Sequence, residues 1–290
     1  MPPVLGIAPD VAATALILVS AALHAVVNAM VKISDDGLLT RGCMNATALV
    51  VALPFLWVVE PPDQALWPLL IAAVLIHGLY PFFLTGAYRF GDLSVAFPVA
   101  RGTSPLGVAF LTWLLLESAV TADKLAWIAL LSSGIAAFAL ERFATANPQH
   151  RRGLALAVCT GGIIALYTVI DGIGLRTAQT ASTYIVWLFA LDGLFVSSIV
   201  VLARRRTVIP FLRKHWRRGL LGGLLGVLTY GMALYALSLG SIVEIAALRE
   251  TGVVFAAAIG AVFLKEPFGK LRITATALVT AAIIGLKLSA

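Results

Sequence analysis

Long apolar runs alternate with short polar connections along the whole of this 290-residue chain. A helix needs about 20 predominantly apolar residues to cross the hydrocarbon core of a bilayer. Ten runs meet that length, at 11–31, 40–59, 66–88, 93–116, 124–143, 153–174, 181–202, 219–239, 242–264 and 270–288. The connections carry turn and breaker residues: "SDDG", "EPPDQ", "GD", "ANPQHRRG" and "KEPFG". The runs are continuously apolar, without the period-two alternation of a barrel strand, so they predict helices. The pattern therefore predicts an all-α integral membrane protein with ten transmembrane helices.

Composition agrees. The chain is 60% hydrophobic and 12% charged, against roughly 25% charged in a soluble domain, and its mean hydropathy is +0.98. Cys43 and Cys159 lie within apolar runs, which argues for small buried side chains rather than a disulfide framework. The opening "MPPVLGIAPD" lacks the basic segment of a secretory signal.

The net charge of +7 is unevenly placed. Of 21 Lys and Arg residues, 16 fall in the odd-numbered connections, and seven of those lie between Arg204 and Arg218. Three occupy the even connections and termini, and two, Arg101 and Arg249, lie inside spans. The positive-inside rule then puts the odd connections in the cytoplasm and both termini outside. The basic cluster reads as a topology signal, so no nucleic-acid partner is expected.

The stretch "EIAALRETGVVFAAAIGAVF" (244–263) places Glu244, Arg249 and Glu250 in the ninth apolar run. An intramembrane charge costs a few kcal/mol on insertion scales and tends to mark a pathway. Arg249 and Glu250 are about 100° apart on a helix, so each needs its own partner. Glu244, near the start, fits a helix N-terminus.

An internal repeat supplies a candidate partner. Residues 87–117 align without gaps on 236–266, matching Ala87 with Ala236, Gly91 with Gly240, Glu117 with Glu266, and Arg101 with Glu250. A second match joins "LHAVVNA" (23–29) to "LYTVIDG" (166–172), pairing His24 with Tyr167 and Asn28 with Asp171. The chain then divides into repeats 1–147 and 148–290, five helices each. An odd number of helices makes this an inverted repeat, and transporters commonly bind substrate where such halves meet. Arg101 and Glu250 are expected to approach one another there. The alternative is a structural ion pair that fixes helix register.

Other polar positions extend the candidate site. Pro98 and Pro105 flank Arg101, and each removes a backbone donor. They predict either a packing kink or a local break in span four, with backbone exposed to a cavity. His24 with Asn28, and Tyr167 with Asp171, make matched i, i+4 stripes, while His77 and Tyr80, beside Pro81, form a third patch. Trp187 and Asp192 are weaker candidates on span seven. Trp57, Trp67 and Trp127 read as interface anchors. Gly222 and Gly226 give a GxxxG spacing for close helix packing.

The five-plus-five layout and the landmark residues Glu117 and Glu266, with "HAVVNAMVK", "PVARGTSPLGVAF" and "ALRETGVVFAAAIGAVFLKE", resemble the EamA-type drug/metabolite transporter superfamily, and within it a bacterial subgroup. The resemblance implies a ten-helix secondary transporter, often an exporter of amino acids or other small metabolites, in a bacterial-type inner membrane. Two features depart from that pattern. Pro105 fits the proline that often precedes the closing Glu, but Val254 stands at the equivalent second-half position. Many relatives also have cytoplasmic termini, opposite to the charge count.

The expected function is alternating-access transport of a small polar metabolite at mid-membrane, with export implied by the resemblance. The candidate substrate-binding set is Arg101, Glu250, Arg249, His24, Asn28, His77, Tyr80, Tyr167, Asp171 and Trp187. Arg101 and Arg249 suit a carboxylate, phosphate or phosphonate. An amino acid would add Glu250 or Asp171 for its ammonium. Asp171, Glu250 and the histidines are candidates to carry a coupled proton. No P-loop, HExxH, GxSxG or metal-spaced Cys/His cluster occurs, so no enzyme activity, cofactor or metal is expected. The expected partners are the solute and membrane lipid, with the protein a monomer or homodimer. A non-transporting scaffold or receptor is the second reading, and a membrane-embedded enzyme a distant third.

Overall fold

The computed structural model describes residues 8–32, 34–90, 93–117, 120–137, 148–263 and 270–289. The helices are α1 (Pro9–Lys32), α2 (Gly37–Ala52) with a 3-10 turn (Leu53–Trp57), α3 (Trp67–Phe90), α4 (Leu93–Leu116) and α5 (Ala122–Ala137). They continue with α6 (Pro148–Thr177), α7 (Ala181–Ala203), α8 (Val208–Leu239), α9 (Ile242–Arg249), α10 (Gly252–Phe263) and α11 (Lys270–Leu288). Among the described residues there is no strand. Seven helical segments are long and apolar enough to cross a membrane: 9–31, 37–57, 67–90, 96–116, 151–177, 181–203 and 208–239. The other three expected spans correspond to α5, the α9–α10 pair and α11. Glu266, Gly91, Arg142, Lys265 and the expected end of span five at 138–143 lie outside the described residues.

Three boundaries differ from the sequence pattern. Span eight was expected to begin at 219, but α8 begins at Val208. Arg213, Lys214, Arg217 and Arg218 therefore sit on helical turns rather than in a connection. Hydropathy stops where charge begins, whereas Arg and Lys are good helix formers once outside the hydrocarbon. For the same reason α6 begins at Pro148, ahead of the expected 153. Pro148 suits a first helical position, where its missing N–H costs nothing.

The third difference concerns the discontinuous span. α4 runs unbroken from Leu93 to Leu116 through Pro98 and Pro105. Each proline withdraws one donor from the carbonyl four residues back, and the helical path survives that loss. The break falls instead in span nine, between α9 and α10, at Glu250 and Thr251. There the ladder shortens: Glu250 N–H donates to Ala247 O and Thr251 N–H to Leu248 O, both at 3.1 Å. The Thr251 hydroxyl donates to the same Leu248 carbonyl at 2.8 Å. A β-branched residue whose hydroxyl competes for backbone, followed by Gly252, makes this a weak point in the helix.

The chain forms two compact units. Unit 1 comprises Met1–Gly78 and Ile170–Leu239, and unit 2 comprises Leu79–Val169 and Gly240–Ala290. Each takes helices from both halves of the sequence.

In unit 1, glycines set the spacing of α2 against its neighbours. A Cβ at Gly42 would press on Val200 of α7, and one at Gly193 would lie 2.7 Å from the Asn45 carbonyl. On α8, Gly219 faces Cys43 and Gly223 faces Thr47, whereas nothing lies within 4 Å of a Cβ at Gly226. The close-packing GxxxG register is thus Gly219/Gly223, with Gly222 meeting Met44 and Met30, rather than the expected Gly222/Gly226. The spacing was legible, but two overlapping registers share it in "GLLGGLLG", and only the neighbouring helix selects one. Ser20 of α1 donates to the Thr229 carbonyl of α8 at 2.7 Å.

The turn before α2 is polar. Asp36 caps α2 by accepting from Leu38 N–H at 2.9 Å and Leu39 N–H at 3.1 Å. Asp35 meets Lys214 at 3.3 Å and His215 at 3.1 Å. The Lys214 ammonium, hydrogen-bonded to Asp35, holds that carboxyl below its ordinary range. Any stability this gives is present above the unfolded pKa and lost as pH falls through the folded one, and water screens it at this exposed site.

In unit 2, α4 packs on α5 with Gly102 against the Ser132 carbonyl, and Gly134 of α5 meets Leu278 and Val279 of α11. Trp127, expected as an interface anchor, lies over Gly285 of α11, whereas Trp57 is 93% exposed as such an anchor would be. A small-residue cluster of Ala87, Ala96, Val99, Ala100 and Ala157 joins α3, α4 and α6.

Adjacent glycines on α6 give a test. A Cβ at Gly161 would collide with Thr103 Oγ1 and come within 2.7 Å of the Ala100 carbonyl, while a Cβ at Gly162 meets nothing within 4 Å. Gly161→Ala should destabilise the protein by about 1–3 kcal/mol, the usual range for overpacking. Gly162→Ala should be neutral or slightly stabilising, by helix propensity. Thermal unfolding in detergent compares the two, and equal melting temperatures would refute the packing assigned to α4 and α6.

Candidate functional site

Two buried polar groupings stand out, one in each unit. In unit 2, Arg101 of α4 and Glu250 at the α9–α10 break come together, with Nε 2.9 Å from Oε2. Their residues are 5% and 1% exposed. The contact is an ion pair, but the N–H is not aimed along it, and neither atom makes an aligned hydrogen bond. The two buried charges thus meet at the point where the span is broken. Glu250 caps the C-terminal end of α9, and α10 begins two residues later, so the positive end of its dipole lies close in sequence. Arg249, one residue earlier, is half-buried and turns to another side of α9. Glu244, in the first turn of α9, pairs with Lys124 of α5 at 2.5 Å. That carboxylate has its own ion pair, in addition to its place at a helix start.

In unit 1, Asp171 of α6 is fully buried. It accepts hydrogen bonds from the Tyr184 hydroxyl of α7 at 2.8 Å and the Tyr230 hydroxyl of α8 at 2.6 Å. His77 of α3 brings Nε2 to 3.3 Å from Asp171 Oδ2. Its other nitrogen, Nδ1, lies 3.9 Å from Oδ1 of Asp192 on α7. That Asp192 oxygen is buried and makes no hydrogen bond. Glycines again make the approach possible. A side chain at Gly174, one turn past Asp171, would overlap the Tyr184 ring, and one at Gly78, beside His77, would meet Phe195 of α7.

The remaining candidates are dispersed. Tyr80 and Tyr167 meet edge to face in unit 2, with ring centroids 6.4 Å apart. Trp187 packs edge-on against Trp67 at 5.4 Å, so Trp67 serves an aromatic pair as well as a helix start. The Trp187 indole N–H is buried and makes no hydrogen bond to the described residues. His24 and Asn28 are half-buried on α1, on the same side as Ser20, which binds α8.

Tyr184 and Tyr230 were missed by sequence reasoning, and Asp192 ranked as weak. A signal existed. Tyr230 lies well inside its apolar run, 219–239, rather than at an end, where an interfacial tyrosine would sit, whereas Tyr184 stands only three residues after the start of its run at 181. A buried tyrosine hydroxyl needs a partner, and Asp171 needs donors.

Among the described residues, several helices long and apolar enough to cross a membrane, with ionisable groups buried within them, describe a multi-pass membrane protein. Residues 151–288 match the model of the EamA-like transporter family. The match spans just under half of the chain and makes it similar to the EamA-type transporters of the drug/metabolite transporter superfamily. The family is one of transporters rather than enzymes. A crystal structure 17% identical to the chain superposes with a TM-score of 0.77, covering 96% of this chain and 98% of that one. It is among 28 solved chains that match, and at that identity the likeness is one of fold. No curated protein matches the chain.

The tyrosines around Asp171 carry a prediction. A hydrogen bond to a charged group contributes about 1.5–3 kcal/mol. Tyr184→Phe and Tyr230→Phe should each lower stability by that order in detergent melts. In an Asp171→Asn background the loss should shrink, because the acceptor charge is gone. Equal losses in both backgrounds would show that the rings, not the hydroxyls, do the stabilising.

Proposed function

We propose that the protein is a secondary transporter working by alternating access. It moves a small polar metabolite, an amino acid or another carboxylate- or phosphonate-bearing solute, out of a bacterial-type cell through the inner membrane. The ten spans form a five-plus-five inverted repeat over 1–147 and 148–290, with both termini outside. The supporting observation is the Arg101–Glu250 pair, buried within spans and placed where one helix is broken. A structural ion pair can be replaced by apolar residues at little cost. A misaligned pair at a helix break is suited to exchange. The solute anion takes the place of the Glu250 carboxylate on Arg101, whose planar guanidinium offers five donors in a fixed fork. The same anion then gains from the N-terminus of α10. Glu250, released from Arg101, becomes free to receive the ammonium of an amino acid. Arg249, His24, Asn28, Tyr80, Tyr167 and Trp187 are kept as candidate lining, and a monomer or homodimer as the working form.

Ligand-dependent melting of the purified protein tests this directly. Amino acids, organic acids, alkylphosphonates and cationic drugs are compared on the wild type, Arg101→Ala and Glu250→Gln. A solute at a hundred times its dissociation constant should stabilise by about 2.7 kcal/mol. One anionic class should raise the wild-type melting temperature by several degrees, and both folded variants should lose that response. If no solute shifts the wild type and both variants only melt early, the pair is structural and the substrate assignment is wrong.

A further inference from the structure

The grouping in unit 1 has a feature that the ion pair of unit 2 lacks. It places two carboxylates on one imidazole, within spans. Among the described residues, no Lys or Arg lies within ion-pair distance of Asp171 or Asp192. The titratable groups seen against the imidazole or its two carboxylates include Asp171 from α6, Asp192 and Tyr184 from α7, and Tyr230 from α8. With both acids ionised and histidine neutral, this set carries two uncompensated negative charges in a low-dielectric site, which is costly. One proton shared between the imidazole and its carboxylates leaves a single negative charge.

The hydrogen-bond directions narrow the places where the extra proton can sit. The Tyr230 hydroxyl donates to Asp171 Oδ2 at 2.6 Å, so its proton is committed. His77 Nε2 lies 3.3 Å from that same Oδ2 and 3.3 Å from the Tyr230 oxygen. Facing two acceptors, Nε2 must carry a hydrogen, and this fixes the tautomer from the network. Nδ1 is then the variable nitrogen. It faces Asp192 Oδ1 at 3.9 Å, an oxygen that is buried and makes no hydrogen bond. When Nδ1 is bare, a lone pair confronts a carboxylate. When it is protonated, the pair attracts, and closing the gap by about 1 Å makes a charge-assisted hydrogen bond. The proton has more access from this side, because the side chain of Asp192 is 17% exposed and that of Asp171 only 1%.

We propose that His77, held between Asp171 and Asp192, is the proton-binding site of the protein and that its Nδ1 proton is the coupling ion for transport. Asp171 with its two tyrosines is the fixed side of the clamp, and Asp192 is the responsive side. The proton comes from the aqueous phase on one side, binds at Nδ1, and leaves to the other side. The coupling half rests on the transporter reading above. The proton-binding half does not.

Imidazole nitrogen NMR on the full-length protein with labelled histidine tests the binding site. The chain has four histidines, and His77→Gln assigns the signal. His77 should stay doubly protonated to a higher pH than the other three. Asp192→Asn should lower its midpoint by about one pH unit or more, because removing a nearby negative charge disfavours the cation. Should His77→Gln fail to fold, the signal that moves in Asp192→Asn supplies the assignment. A His77 that is neutral below pH 6, or indifferent to Asp192→Asn, overturns the site. Coupling is read in proteoliposomes loaded with a labelled amino-acid mixture or a labelled alkylphosphonate. A pH gradient should accelerate wild-type flux, and the ratio of flux with the gradient to flux without it should fall towards one in Asp192→Asn. Acceleration that survives in Asp192→Asn overturns the coupling. If the wild type moves neither probe, the transport reading fails for those solutes and the coupling claim falls with it, while the NMR result still decides the proton site.

Discussion

A carboxylate inside a hydrocarbon slab has no water to turn to, so whatever stabilises it must come from the protein. That requirement organises the interior of both compact units. Asp171 is satisfied by two tyrosine hydroxyls and an imidazole contributed by three other helices. Glu250 is met by Arg101 from α4, and Glu244 by Lys124 from α5. Each polar group thereby specifies which helices lie side by side, a task that apolar packing alone performs poorly when lipid is as apolar as the side chains.

The other half of the design is small residues. Hydrogen bonds between spans need helices close enough for short side chains to reach, and the glycines supply that approach. Gly174 admits the Tyr184 ring and Gly78 admits Phe195, so the clamp around His77 depends on two positions without a side chain. Gly219 and Gly223 do the same for α8 against Cys43 and Thr47 of α2. The polar sites and the glycine contacts are therefore one feature: the first fixes the arrangement, and the second makes it sterically possible.

The two groupings differ in kind. Arg101 and Glu250 are opposite charges in poor alignment at a helix break, and the proposed exchange with a charged solute would use that arrangement. His77 lies between two acids, one fully hydrogen-bonded and one not, and the proposed proton site would use that difference.

Much of this was written in the sequence. Long apolar runs determine that the chain is helical and membrane-embedded, because hydrocarbon leaves the backbone no other satisfied form. The repeat aligns Arg101 with Glu250, and the structure pairs them, since charge within an apolar run must find its complement. Tertiary structure decided the rest. The prolines of α4 suggested a break that the structure puts instead at Glu250 and Thr251, because a proline removes one hydrogen bond while a Thr-Gly step offers the backbone another one. "GLLGGLLG" holds two GxxxG registers, and the position of α2 selects Gly219 and Gly223. Tyr184 and Tyr230 became partners of Asp171 only when α7 and α8 were set beside α6. A sequence records which groups cannot be left alone in lipid, but the partner each receives depends on distances between helices, and those are fixed only once the helices pack.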